Sequence, residues 1–129
     1  MRTVLAALPV LLLAGGAAAA SLDIVGTYGS PAGCKYAADG QYGDESVVIL
    51  DAEHYENFVT HCSFVQVLTA SDGSKIVTLL CGHEGDEALT VEMARIAKAA
   101  QGDAYAMFSA QGDLWDEVSR CGPVNDGGR

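Results

Sequence analysis

The chain has 129 residues, half of them hydrophobic, and its seventeen acidic residues outnumber seven basic ones to give a formal net charge of −10. A chain of this length is typical of one small domain with a modest core. The negative net charge argues against nucleic acid and anionic membrane surfaces as partners, because both would repel the chain. We interpret the charge as a feature that keeps the protein soluble.

The first twenty residues have the layout of a secretory signal peptide. Arg2 supplies a positive charge, and an apolar run and a stretch of small residues follow it. We expect cleavage between Ala20 and Ser21, and the apolar run is too short to be a good membrane span. The sequence therefore predicts a protein of the periplasm or one that is secreted. Its predicted parts are a signal peptide over 1–20, a single β domain over 21–124 and a flexible tail over 125–129.

Turn signals recur at close intervals through the rest of the chain, beginning with GSPAGC at Gly29, which we interpret as a turn. Short apolar or alternating runs lie between the turns: DIVGTY, SVVIL, HYENFVT, CSFVQVLT, KIVTLLC, ALTVEM, AYAMFS and LWDEVSRC. This spacing is typical of an all-β meander. The sequence predicts a mainly β fold of about eight short antiparallel strands that form a small barrel or a curled sheet.

Residues 86–112 carry two competing patterns. Leu89, Val91 and Met93 alternate with polar residues as they would in a strand. The IAKAAQ segment that starts at Ile96 is rich in residues that favour helices. We therefore predict a strand that ends near Ala94, followed by a short helix near 95–101.

Four cysteines, Cys34, Cys62, Cys81 and Cys121, occur without any CxxC pair. An even number of cysteines in a small exported chain is typical of two disulfides, and four cysteines allow three connectivities. The segment HCSFVQVLTASDGSKIVTLLCGH, residues 61–83, carries a cysteine and a histidine close to each end. It is either half of a metal site or a hairpin closed by a disulfide.

The turn signal in this segment favours the hairpin. With the turn at Ser71 and Asp72, Cys62 lies opposite Cys81, at a separation that a disulfide can bridge. By elimination Cys34 pairs with Cys121. The same register places Phe64 opposite Leu79 and Val67 opposite Ile76, and it makes the two histidines of the segment point to opposite faces. That geometry disfavours a zinc site, which usually needs closely spaced ligand pairs.

Short motifs along the chain are similar to those of a loose group of small exported alphaproteobacterial proteins. They are GTY at Gly26, Cys62 followed two residues later by Phe64, CGHEGDE at Cys81, and the closing pair of Arg120 and Cys121. The group shows a G-x-W/Y opening, a C-x-F strand, a C-x-x-E-G turn and a terminal R-C. The opening also resembles the lipocalin G-x-W motif, with Tyr28 in the tryptophan position. The resemblance implies a two-disulfide β fold and no established activity.

The sequence offers no catalytic set. It lacks G-x-S-x-G, and the carboxylates Glu53, Glu56, Asp116 and Glu117 are interpreted as an outer polar face. No EF-hand loop or HExxH pattern is present, so His83, Glu84 and Asp86 are weak metal candidates and no metal or other cofactor is predicted.

We therefore predict a non-enzymatic binding or inhibitor module with a protein partner in the periplasm. A small lipocalin-like ligand carrier and a periplasmic metal-binding protein are the alternatives. Tyrosines on a loop either provide contact area at low entropic cost or cap the open end of the sheet. An apolar hairpin face needs a cover, which is either the segment 95–100 or a protein or small apolar ligand. The candidate interaction residues are Tyr36, Tyr42, Val65, Val67 and Ile76.

Overall fold

A computed structural model describes residues 20–122. These residues form eight strands and one helix, in the order β1 (Tyr28–Gly29), α1 (Pro31–Asp39), β2 (Val48–Leu50), β3 (His54–Asn57), β4 (Thr60–Thr69), β5 (Lys75–His83), β6 (Thr90–Lys98), β7 (Ala104–Ser109) and β8 (Leu114–Arg120). Each strand pairs antiparallel with its neighbours in sequence, and β1 pairs with β8, so the sheet is a closed barrel. The predicted barrel is confirmed. The predicted signal peptide, apart from Ala20, and the predicted tail over 125–129 lie outside the described residues.

The helix α1 occupies the segment that we interpreted as a turn. The Ser30 hydroxyl accepts a hydrogen bond from the backbone N–H of Gly33 at 2.9 Å, and Pro31 follows it at the start of the helix. Gly40 ends the helix in the left-handed conformation, at φ 73°. These are the favoured residues for a helix start and a helix end. No helix in the described part of the chain has the length and apolar character needed to cross a membrane.

The short helix predicted near 95–101 is wrong, because residues 90–98 are a continuous strand. Strand β6 pairs with β5 on one side, where Ile96 lies opposite Lys75, and with β7 on the other, where Ile96 lies opposite Met107. Ala94 and Ile96 are buried while Val91 and Met93 are exposed, which is the alternation of a strand. Pairing on both sides overrides the helix propensity of this segment.

The hairpin of β4 and β5 contains the predicted disulfide. Cys62 pairs with Cys81 across the two strands and is bonded to it, with Cα atoms 4.1 Å apart. Phe64 lies opposite Leu79, as the register predicted. Gly73 closes the turn at φ 86°, where its N–H donates to the carbonyl of Ala70 at 3.0 Å. The second predicted disulfide, Cys34–Cys121, is also confirmed.

A bulge changes the register beyond Phe64. The pairing shifts by one residue, so Val67 lies opposite Val77, and the predicted pair of Val67 and Ile76 is wrong. The extra residue of a bulge reverses which residues face inward along the strand. Val65 keeps the outward position that the register predicted and is exposed, while Val67 now faces inward and packs against the core.

The interior of the barrel is filled by apolar side chains from every strand of the sheet. The largest fully buried ones include Leu50, Leu79, Met107, Val77 and Val118. They form one core cluster, as is usual for a barrel of eight strands, whose interior is just wide enough for side chains to fill. A central ligand site of the kind that a lipocalin-like carrier needs would have to displace these side chains.

The seam that closes the barrel is short. β1 has two residues, and they pair with Leu50 and Ile49 of β2 on one side and with Arg120 and Ser119 of β8 on the other. The Cys34–Cys121 disulfide joins α1 to the residue that follows β8, with Cα atoms 5.2 Å apart. The disulfide therefore reinforces the part of the barrel with the fewest backbone hydrogen bonds.

Side chains from near both ends of the described residues also meet at this seam. The guanidinium of Arg120 donates to the Tyr28 hydroxyl at 2.7 Å and to the carbonyl of Val25 at 2.8 Å, and it forms an ion pair with Asp103. It also lies over the Tyr28 ring, 4.9 Å from the centroid. Burial and the hydrogen bond to Asp103 raise the pKa of Tyr28 to about 12. The opening and closing motifs of the sequence thus form one contact in the fold.

Candidate functional site

The two candidate tyrosines form an aromatic cluster beside β3. The rings of Tyr36 and Tyr42 are stacked with centroids 4.2 Å apart, and Tyr42 meets the ring of Phe58 edge-on at 5.7 Å. The Tyr42 hydroxyl donates to Glu56 at 3.0 Å. Because the two tyrosines cover each other, they expose less surface than two separate rings. Their role in recognition stays a prediction.

The three candidate aliphatic residues do not share one surface. Val65 is exposed on the outside of the barrel, and Ile76 is half-buried on the same side. Val67 faces inward after the bulge and, partly buried, packs against the core. The sequence located the outer side of the hairpin correctly at Val65 and Ile76 and misplaced Val67.

The outer side of β4, β5 and β6 carries a continuous set of apolar residues, here called the outer apolar face. It is contiguous because Leu80 lies opposite Val91, and Leu68 lies opposite Ile76. Four of its members keep between 52% and 71% of their surface exposed, which is unusual for several large apolar residues on neighbouring strands. The face consists of Val65, Leu68, Ile76, Leu80, Val91 and Met93.

A groove of about 370 Å³ borders the outer apolar face on the side of β7. Ile76, Met93 and Phe108 line it together with the backbone of the turn that follows β7. The guanidinium of Arg95 lies 5.1 Å from the centroid of the Phe108 ring and fixes one wall. The groove has the size and the lining to accept one large apolar side chain.

The charges around the face are unequal at its two ends. The turn between β5 and β6 carries Glu84, Asp86 and Glu87, all exposed, next to the pair of Leu80 and Val91. At the other end Arg95 forms an ion pair with Asp72 at 3.4 Å. One end of the face is therefore acidic, and the other is close to neutral.

The weak metal candidates do not converge. Both ring nitrogens of His83 are hydrogen-bonded, Nδ1 to the Thr60 hydroxyl at 2.9 Å and Nε2 to the Thr90 hydroxyl at 2.8 Å. Asp86 accepts a hydrogen bond from the backbone of Ala88 instead. Within residues 20–122, the one group whose ligand atoms come together is Cys62, Cys81 and Glu92, and its two sulfurs form a disulfide.

The adjacent carboxylates Asp116 and Glu117 point to opposite sides of β8. Asp116 accepts a hydrogen bond from the hydroxyl of Tyr55 at 2.6 Å, inside the barrel. Burial and this hydrogen bond raise the pKa of Tyr55, which therefore stays a neutral donor. Our interpretation of Asp116 as part of an outer polar face is wrong. The two carboxylates cannot act on one bond, because the sheet separates them.

No family model, no curated protein and no solved structure matches the chain. The resemblance to small exported alphaproteobacterial proteins therefore stays a prediction. What the chain can do is argued below from its own surfaces.

Proposed function

We propose that the protein is an exported, non-enzymatic binding module that docks onto a protein partner through the outer apolar face. The observation that carries the proposal is the exposure of neighbouring aliphatic side chains on three adjacent strands, of which Val91 keeps 71% of its surface exposed. Burying such a surface against a partner releases about 25 cal/mol per Å² of apolar area. The adjoining groove supplies a place for an anchoring side chain of the partner.

The shape and charge of the surface favour one class of occupant. The face lies on the outside of a barrel, whereas small molecules bind in concave sites, so a protein surface is the better fit. Two copies of a chain with a net charge of −10 would repel each other, which disfavours self-association. Glu84, Asp86 and Glu87 at one end of the face favour basic residues opposite them. The proposed partner thus has an apolar centre and a basic edge.

Binding is favoured over catalysis by the arrangement of the polar groups. His83 is held between two threonines, and Asp116 is held by Tyr55, so neither group is presented to a substrate. The exposed histidines His54 and His61 pair with Asp51 at 3.4 Å and Glu56 at 3.3 Å on the outer surface. Such pairs are common on protein surfaces, and a histidine–carboxylate pair alone does not form a catalytic triad, which also needs a nucleophile.

We infer that the protein acts in the periplasm or outside the cell. Two disulfides are typical of proteins in oxidising compartments, and the signal-like segment before Ser21 agrees with export. The intact mass of the exported protein tests this, with a chain that begins at Ser21 as the expected result. Retention of residues 1–20 would contradict the cleavage.

The docking proposal is tested with charged substitutions on and off the face. Met93→Glu lies on the face and Leu114→Glu lies outside it, and the two wild-type side chains are exposed to similar extents, 52% and 57%. The oxidised protein and both variants are immobilised and exposed to an envelope extract of the producing organism. We expect a partner that wild type and Leu114→Glu retain equally and that Met93→Glu loses by at least about tenfold.

A second measurement locates the contact on the retained partner. Hydrogen exchange of the purified complex should slow at Leu80, Val91 and Met93 and stay unchanged at Leu114. A partner retained equally by Met93→Glu would place the interaction elsewhere. Sedimentation of the purified protein as a dimer that Met93→Glu dissociates would replace the proposed partner with a second copy.

A further inference from the structure

A second surface lies at the end of the barrel that the β4–β5 turn borders. It is a cleft of about 520 Å³ between residues 22–24, the β4–β5 turn and the adjoining ends of β6 and β7. This volume is within the range of sites that hold small molecules. The cleft shares Arg95 with the groove beside the outer apolar face, but the turn and the N-terminal segment form its other walls.

The register of the barrel brings three cations to this cleft. Lys75 lies opposite Ile96, and Lys98 lies two residues further along β6 with its side chain on the same side of the strand. Arg95 lines the rim. Together they are three of the seven Lys and Arg residues in a chain with a net charge of −10, so the cleft is a basic site on an acidic protein.

The cations at the cleft are only partly neutralised. Arg95 donates to Ser74 at 3.2 Å and pairs with Asp72 at 3.4 Å. Lys75 donates to the Thr69 hydroxyl at 2.7 Å, and its nearest carboxylate, that of Asp23, is 3.8 Å away and almost fully exposed.

Lys98 has the least compensation. Its ammonium lies over the Tyr105 ring, 6.0 Å from the centroid, and no carboxylate of the described residues lies within ion-pair distance of it. The lining residues carry three cations and the carboxylates of Asp23 and Asp72. Asp103 also acts on Lys98 from beyond ion-pair distance, but it is already paired with Arg120, so the cleft keeps a surplus of positive charge.

The remaining wall of the cleft is apolar. Leu22 is buried, and Ile24 and Tyr105 pack against the core cluster at the same end of the barrel. We propose that this cleft binds a small organic monoanion whose carboxylate lies between Lys75 and Lys98 and whose apolar body lies against Leu22, Ile24 and Tyr105. The surplus of positive charge suits a carboxylate, and the apolar wall distinguishes such a ligand from a bare inorganic ion.

The test uses three probes that separate the charge from the apolar body. Octanoate carries both, octanol keeps the chain without the charge, and inorganic phosphate carries charge alone. Each is titrated into the isotopically labelled, oxidised protein, and the shifts of the backbone amide resonances are followed. We expect saturable binding of octanoate, with the largest shifts at Ser74, Ala97 and Tyr105, and at least about tenfold weaker binding of octanol and of phosphate.

Substitution of the cations tests their role directly. Lys98→Met should weaken octanoate binding by about three- to tenfold, allowing for solvent screening, and Lys98→Arg should restore most of it. Lys35→Met is the matched control, because Lys35 is an exposed lysine on α1 that pairs with Asp39 and should leave binding unchanged. Thermal melting of each variant establishes that it is folded.

Three results would overturn the inference. The first is equal affinity for octanol and octanoate, which would remove the role of the cations. The second is phosphate binding as tight as that of octanoate, which would remove the role of the apolar wall. The third is a set of shifts centred on Val65 and Val91, which would place the ligand on the outer apolar face.

Discussion

Removing the Cys34–Cys121 disulfide should cost more stability than any other change confined to the barrel seam. The double substitution Cys34→Ala and Cys121→Ala opens a covalent loop whose ends are 87 residues apart. Loop closure of this length contributes about 4.6 kcal/mol through the entropy of the unfolded chain. The total stability of a small domain is about 5–15 kcal/mol, so the loss is a large share of it.

The loss should also be visible locally. β1 contributes two residues to the barrel, and the amides of Ser30 and Cys121 donate to Val48 at 3.0 Å and to Thr27 at 2.8 Å on either side of it. Without the disulfide, few hydrogen bonds hold these segments, so both amides should exchange with solvent much faster than those of the β4–β5 hairpin. Hydrogen exchange of the folded variant measures this difference.

Guanidinium unfolding at neutral pH supplies the global measurement. Trp115 is the only tryptophan, and it stacks near Tyr55 with centroids 6.3 Å apart at the opposite end of β8 from Cys121, so its fluorescence reports on the barrel away from the substitution. The control is Cys62→Ala with Cys81→Ala, where a separation of 19 residues predicts about 3.3 kcal/mol from loop closure. That control should leave seam protection unchanged. A loss below about 1 kcal/mol in the Cys34 and Cys121 variant, with normal exchange at Ser30, would refute the reasoning.

Three further predictions concern the packing and the electrostatics. Gly33→Ala should cost about 3 kcal/mol in guanidinium unfolding because its Cβ would lie 1.9 Å from the Val48 carbonyl oxygen, whereas Gly43→Ala meets open space and should cost little; equal losses would contradict the packing. Burial and the hydrogen bond to Asp103 raise the pKa of Tyr28 to about 12. The stability that the neutral Tyr28 contributes is therefore complete below about pH 10, the ordinary tyrosine pKa, and should be lost as the pH rises through the raised pKa. Tyr28→Phe should remove this late step from an ultraviolet titration of the tyrosines. The hydrogen bonds from Arg120 and Tyr28 lower the pKa of Asp103, so its stabilisation is present above the ordinary carboxyl value and lost as the pH falls through the lowered one; Asp103→Asn should flatten the acid side of a melting-temperature profile.

The parts of the fold that depend on local pattern could be predicted from the sequence. Alternating runs between turn signals gave the number of strands, and the spacing of Cys62 and Cys81 around the turn gave the hairpin register at its disulfide end. The bulge at Val65 could not be predicted, because an extra residue in one strand leaves the apolar pattern almost unchanged. That single residue turned Val67 from the expected outer surface towards the interior, where it packs against the core.

The missed helix and the extended β6 have different causes. Ser30 and Pro31 are a recognisable helix start, but glycines at positions 29 and 33 made the segment look like a turn. Gly33 is needed because the helix lies close to the backbone of Val48, a tertiary contact that the sequence does not reveal. In β6, pairing with two neighbours outweighed the helix propensity of residues 96–98, which left no room for the predicted helix.

The surfaces could be predicted only in part. An apolar outer side of the hairpin follows from its alternation, and Val65 and Ile76 do lie there. The basic cleft could not be foreseen, since Lys75 and Lys98 are distant in sequence and meet through the β5–β6 register.

The position of Arg120 in the chain affects the order in which the strands can pair during folding. The barrel closes through contacts between Tyr28, near the start of the described chain, and Arg120, near its end. In a chain that emerges with its N-terminus first, the strands β2 to β7 can pair early. β1 can pair with β2, but its other edge has no partner until β8 has emerged. Until then the sheet is open, and both of its outermost strands can pair with other chains. A chaperone would therefore protect this protein from aggregation most effectively in the interval before β8 closes the barrel.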